Sequence, residues 1–189
     1  MKRVLLLLLI AFPGIVSAQY SKSFFSGSEI KIGAGYAHDF PGLNGLGINA
    51  EFILPIMDKW EGGFGIKRFS LEGHPRNEGT LEYTRATTID FNIYFLPVQT
   101  ETQTIRVGAG YAFSNYSIRR SFPLISGTGP DKATTWPIQD LRSRTSGMSI
   151  MAEYEYNLPV SGLSIGLRAG YYKAYDRVAY IGSFAGFKF

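Results

Sequence analysis

The sequence predicts an all-β protein, an eight-stranded antiparallel barrel that crosses a membrane with its strands. Three observations predict it. Apolar and polar residues alternate with a period of two along most of the chain. The alternating runs are even in number, joined by short turns at one end and longer loops at the other. Past the first residues, no stretch has the 18 or more consecutive apolar residues of a membrane helix, so insertion must use strands.

The elements follow in order. Residues 1–18 read as an export signal: Lys2 and Arg3 precede an apolar run from Val4 to Phe12, then Pro13-Gly14 and Val16-Ser17-Ala18. Cleavage is expected after Ala18, leaving 19–189 as one barrel domain. In the first strand Ile30, Ile32, Ala34 and Tyr36 share one face, with Lys31, Gly33, Gly35 and Ala37 on the other. The pattern returns at Ile105 to Phe113 and at Leu163 to Tyr171, and each of these runs carries an Ala-Gly-Tyr triplet. Leu54-Pro55, Leu96-Pro97 and Leu158-Pro159 end their partners, because proline cannot donate to a strand ladder. These stops place strands at 28–38, 45–55, 60–72, 81–96, 104–119, 144–158, 163–174 and 177–189. The turns near Pro55, Pro97 and Pro159 are the short ones, opposite loops at 39–44, 73–80, 120–143 and 175–176.

Composition narrows the class further. Charged residues are 18% and aromatics 15% of the chain, unusual for an outside that must wholly face water. Without the signal, 17 basic residues stand against 15 acidic ones, which is no nucleic-acid signature. The absence of cysteine excludes disulfide staples, thiolate metal sites and a lipid-modified cysteine anchor.

Alternation alone does not say which face looks inward, since a soluble ligand-binding barrel has the same period with the faces reversed. The polar face carries Lys31, Glu51, Glu61, Lys67, Asp90, Arg106, Glu153, Glu155, Arg168 and Lys188, five basic and five acidic residues interspersed with glycines. Long ionic side chains beside glycine suit a narrow lumen filled by ion pairs. A solvent-facing strand surface gains nothing from glycine. The opposite face is apolar through its middle, with aromatics near both ends: Trp60, Phe95, Tyr156, Phe187 and Phe189 at one level, Tyr36, Tyr83, Tyr111, Phe113 and Tyr171 at the other.

The last strand, Val178 to Phe189, ends the chain on an aromatic residue with Ile181, Phe187 and Phe189 on one face. It resembles the carboxy-terminal strand of bacterial outer-membrane β-barrel proteins, and the chain resembles the small OmpA-like and OmpX-like barrels, also called the porin family. That resemblance implies an outer-membrane location in a Gram-negative-type bacterium. It also implies recognition of Phe187 and Phe189 by the barrel-assembly machinery. It implies no activity.

No catalytic, metal or cofactor site is expected. The Gly-Ala-Gly stretches at 33–35 and 108–110 precede no helix, so they are strand glycines rather than dinucleotide loops. His38 and His74 are too few for a metal centre and lack a serine at triad spacing. Arg119, Arg120, Arg142 and Arg144 flank the long loop, where guanidinium groups could contact lipopolysaccharide phosphates. The expected function is therefore a structural or surface-interaction component with a filled lumen, not a diffusion pore. The alternatives are a lipid A-modifying enzyme and a soluble periplasmic binding barrel.

Overall fold

The structure is a computed structural model that describes residues 26–74, 81–126, 133–158, 162–174 and 177–189. The export signal at 1–18, the turn beginning at Pro159 and the loop segments 75–80, 127–132 and 175–176 lie outside the described residues.

The strands are β1 Glu29–Asp39, β2 Asn44–Met57, β3 Trp60–Gly73, β4 Glu82–Gln99, β5 Gln103–Ser121, β6 Leu124–Ser126, β7 Ala133–Thr135, β8 Ile138–Asn157, β9 Leu163–Lys173 and β10 Arg177–Lys188. Eight of them close an antiparallel barrel in the order β1, β10, β9, β8, β5, β4, β3, β2, and β6 and β7 form a small hairpin. First and last strands seal the ring from Glu29 opposite Lys188 to Asp39 opposite Val178. Paired residues can be followed round the ring from Glu29 through Ile53, Gly63, Asn92, Gly110, Ser149, Tyr172 and Val178. The path returns to β1 at Asp39, ten residues above its start. With strands about 4.8 Å apart and about 3.3 Å of rise per residue, this stagger tilts the strands about 40° and gives a backbone radius of about 8 Å. Such an interior is wide enough for side chains and little else.

The faces sort as the period predicts. Lys31 is 0% exposed while its neighbour Ile32 is 66% exposed, and the same contrast separates Arg168 from Leu167. The charged face is inside and the apolar face outside.

Strand ends differ from expectation in two places. Pro55 and Pro97 lie within β2 and β4, not after them, beside register shifts between Pro55 and Met57 and between Phe95 and Val98. The bulge absorbs the missing N–H, so the strand continues past the proline. At the other end the expected loop 120–143 is largely strand: β5 runs to Ser121, β8 starts at Ile138, and β6 and β7 occupy part of what remains. These two long strands rise about 15 Å above the end of β1. There β8 pairs with β5 alone, since its pairing with β9 begins at Met148.

Candidate functional site

The lumen has layers. Toward the short-turn end, Arg106 on β5 reaches across the ring. Its Nε donates to Glu61 at 2.5 Å, Nη1 to Glu155, and Nη2 to Glu29 at 3.2 Å. Lys31 sits 2.7 Å from Glu153, 2.8 Å from Glu155 and 3.5 Å from Glu29. Arg168 donates from Nε to Glu153 at 2.7 Å, from Nη1 to Asn49 at 2.7 Å, and from Nη2 to Glu51. Lys188 joins at the mouth, 2.5 Å from Glu155, and Lys67 pairs with Asp90 nearer the other end. All ten predicted lumen residues therefore enter one barrel interior.

Glu29 adds a sixth carboxylate, also buried. It occupies the first position of β1, in phase with Lys31, which is the signal that could have found it. Neutral donors complete the network. Tyr94 donates to Glu51 at 2.6 Å, Ser149 to Asn92 at 2.7 Å, and Asn49 to Tyr180 at 2.9 Å. Tyr94 needs absent side chains on both flanking strands: a Cβ on Gly108 would stand 2.5 Å from its ring and one on Gly63 2.7 Å. This is why glycines alternate with long ionic residues here.

The lumen is not polar throughout. Above the ion pairs, Phe69, Leu71, Tyr172, Val178 and Tyr180 pack into a buried apolar layer, with the Phe69 ring 5.4 Å from that of Tyr172. Leu43, from the loop between β1 and β2, is fully buried in the same layer. Asp39 turns that loop inward by accepting bonds from the backbone N–H of Gly42 at 3.1 Å and Leu43 at 2.7 Å. Ile53 and Leu96 bury toward the opposite end. A charged layer thus lies below an apolar one, with Ile53 buried beside Glu29 at the level of the charges, a composition the expectation of a polar lumen did not include.

The rim arginines divide. Arg119 forks onto Asp140 at 2.9 and 3.0 Å and stacks over Tyr83, its carbon 5.3 Å from the ring centroid. The hydrogen bond from Arg119 holds the Asp140 carboxyl below the usual carboxylate range. Arg120 points the other way, into the barrel mouth, 3.5 Å from buried Asp39. It cannot face lipid from there, because adjacent strand residues point to opposite faces. Arg142 and Arg144 are exposed and outward on β8, Arg142 in a strand where a loop was expected and Arg144 where the strand was expected to begin. The register sets them in rows. Arg68, Thr87, Asn115 and Arg144 lie side by side, then Ser70, Arg85, Ser117 and Arg142, then Glu72, Tyr83, Arg119 and Asp140. Directly below runs the apolar row of Ile66, Ile89 and Phe113. Sequence reasoning missed Arg68 and Arg85, although both are in phase with outward apolar residues of their strands.

His38 Nδ1 lies 2.7 Å from Asn44 Oδ1. Phe187 and Phe189 face outward and stack, 6.3 Å apart, at the short-turn edge. The Phe189 N–H donates to Ser28 at 3.1 Å, and its carbonyl accepts from Gly27 at 2.8 Å.

No protein-family model matches the chain, and no curated protein matches it either. Solved structures do. Neisserial surface protein A is similar at 12% identity with a TM-score of 0.58, over 87% of this chain and 98% of that one. A major outer membrane protein of Thermus thermophilus is similar at 12% identity and a TM-score of 0.55, over 86% and 99%. The N-terminal β-barrel domain of Pseudomonas aeruginosa OprF is similar at 14% identity and 0.52, over 87% and 98%. At such identities the likeness is one of fold, and it agrees with the ring traced above: the chain has the fold of the eight-stranded outer-membrane β-barrels.

Proposed function

We propose that the protein is an integral component of the outer membrane of a Gram-negative-type bacterium, delivered by a cleaved signal at 1–18, with a closed lumen and a structural or surface-interaction role. The observation that carries this reading is the inverted polarity of the barrel, ion pairs within and an apolar belt without. A water-soluble barrel would expose Leu46, Ile32 and Leu167 at a large hydrophobic cost. Both ends of the barrel lie on the periplasmic side in this reading, since an even strand count returns the chain to its starting face, and the tall β5–β8 edge lies outside.

In this reading the polar rows meet the phosphates of lipopolysaccharide. Arg142, Arg144 and Arg68 make no ion pair among the described residues, whereas Arg119 is engaged with Asp140 and Arg120 is turned inward. No enzymatic activity is assigned to the chain. The test is extraction of cell envelopes. The protein should resist carbonate, dissolve in detergent and run faster on gels unboiled than boiled. Lipid A from cells with and without it should have the same masses. Release by carbonate would overturn the membrane reading, and altered lipid A masses would overturn the non-enzymatic one.

Phe187 and Phe189 are proposed as the mark read by the barrel-assembly machinery. Deleting Phe189 should lower the folded amount in the outer membrane more than deleting a residue in 120–143. Equal loss from both deletions would count against that role.

A further inference from the structure

The apolar belt is uneven. Across β2, β1 and β10 its middle two rows read Ile48, Ala34, Ser183 and Ala50, Ile32, Ala185, so that four small residues step round Ile32, where the rows above and below carry only Leu46, Tyr36 and Ile181, and Phe52, Ile30 and Phe187. Small residues between large ones leave a trough on the outer surface. A groove of about 1170 Å³ follows it, lined by Ala34, Ala50, Ser183 and Ala185 with Ile32 and Ile48 standing among them, and continuing over Ile165 on β9 toward β8. At the other end of the groove, on the long-loop side, stands Arg68, with Thr87 beside it.

Arg68 is exposed and makes no ion pair among the described residues. Its register neighbours are Ile48 on β2 and Thr87 on β4, and Ile66 precedes it on the same outward face. An arginine at the upper edge of an apolar belt carries a solvation cost that falls when it reaches an anion at the headgroup level. Thus one feature supplies a cation at headgroup depth and another supplies an empty apolar channel descending from it.

We propose that this trough seats one acyl chain of a phosphorylated outer-leaflet glycolipid, whose phosphate is held by Arg68. The inference rests on the outer-membrane reading above and adds to it a fixed lipid position on the β1–β10 side. Charge complementarity favours a lipid with an anionic head: guanidinium pairs bidentately with phosphate, and Thr87 offers a hydroxyl next to it. Length fits as well. Crossing from β3 to β9 at about 4.8 Å per strand gives a channel of about 20 Å, longer than one leaflet's share of a hydrocarbon core of about 30 Å. A second copy of the chain fits less well. A two-fold contact would set trough against trough, leaving a void between concave faces and bringing two unpaired arginines into one apolar interface.

The test uses the full-length exported barrel in phosphatidylcholine nanodiscs carrying a minor fraction of bis-phosphorylated lipid A, with native mass spectrometry after release. The wild type should retain one lipid A per barrel. Ser183→Phe, which fills the trough floor, and Arg68→Gln should each cut the retained fraction about tenfold. Ala109→Phe, on the lipid face of β5 outside the trough, should leave it unchanged. Heat-dependent gel mobility confirms that each variant is folded. Equal retention by Ser183→Phe and wild type would overturn the proposal. So would retention of phosphatidylglycerol in preference to lipid A, or a barrel dimer abolished by Ser183→Phe. If retention falls in Arg142→Gln and Arg144→Gln but not in Arg68→Gln or Ser183→Phe, the rim contact stands and the trough falls. If wild type retains no lipid A, both fall.

Discussion

Replacing Arg106 by leucine should destabilise the barrel by about 3–5 kcal/mol, the largest loss expected of any single lumen substitution. Four carboxylates stand within 4.0 Å of this guanidinium, Glu29, Glu61, Glu153 and Glu155, all buried. Its removal leaves negative charges facing one another where water cannot screen them. The cost is that of uncompensated charge, not the net worth of the pairs, so the double variant Arg106→Leu with Glu61→Leu should recover part of it. Urea titration of the protein refolded in lipid vesicles measures both. A loss under about 1 kcal/mol for Arg106→Leu would mean that the charges are solvated and the lumen is wet.

Ile150→Arg should cost about 2–4 kcal/mol in the same titration, the penalty for a charge at the middle of a lipid-facing strand. Ile150 is 53% exposed, on the outward face of β8 between Ala109 and Tyr171. Were that surface in water, an exposed isoleucine could become arginine within about 0.5 kcal/mol. The substitution therefore reads the solvent of the outer face directly.

The two faces of each barrel strand were legible in the sequence wherever one face met lipid and the other met packed side chains. Lys31 beside Ile32, and Arg168 beside Leu167, carry that contrast residue by residue. It fails in the upper part of β8, from Ile138 to Gly147, where both faces project beyond the belt and no apolar alternation is required. That is why the strand was expected to begin only at 144, and why Arg142 was placed in a loop. The apolar layer was hidden for another reason. Phe69, Leu71 and Tyr172 stand at inward positions, but their residue types are equally at home on the outer face, and only strict phase tells Tyr172 from outward Tyr171. Leu43 lies outside any alternating run, and its burial depends on Asp39 folding the loop back. Partner identities in the lumen, such as Arg106 with Glu61 or Lys31 with Glu153, join residues far apart in the chain. They follow from the stagger of the ring, which no local pattern contains.

The central claim is that a charged layer beneath an apolar one closes this barrel. Single-channel recording of the refolded protein in a planar bilayer tests it most directly. The ion pairs around Arg106 and Lys31, with Phe69, Leu71 and Tyr172 packed above them and Ile53 and Leu96 buried among them, should leave no continuous water path. The expected record is a flat baseline with at most rare small flickers; stable, large openings would contradict the closed lumen.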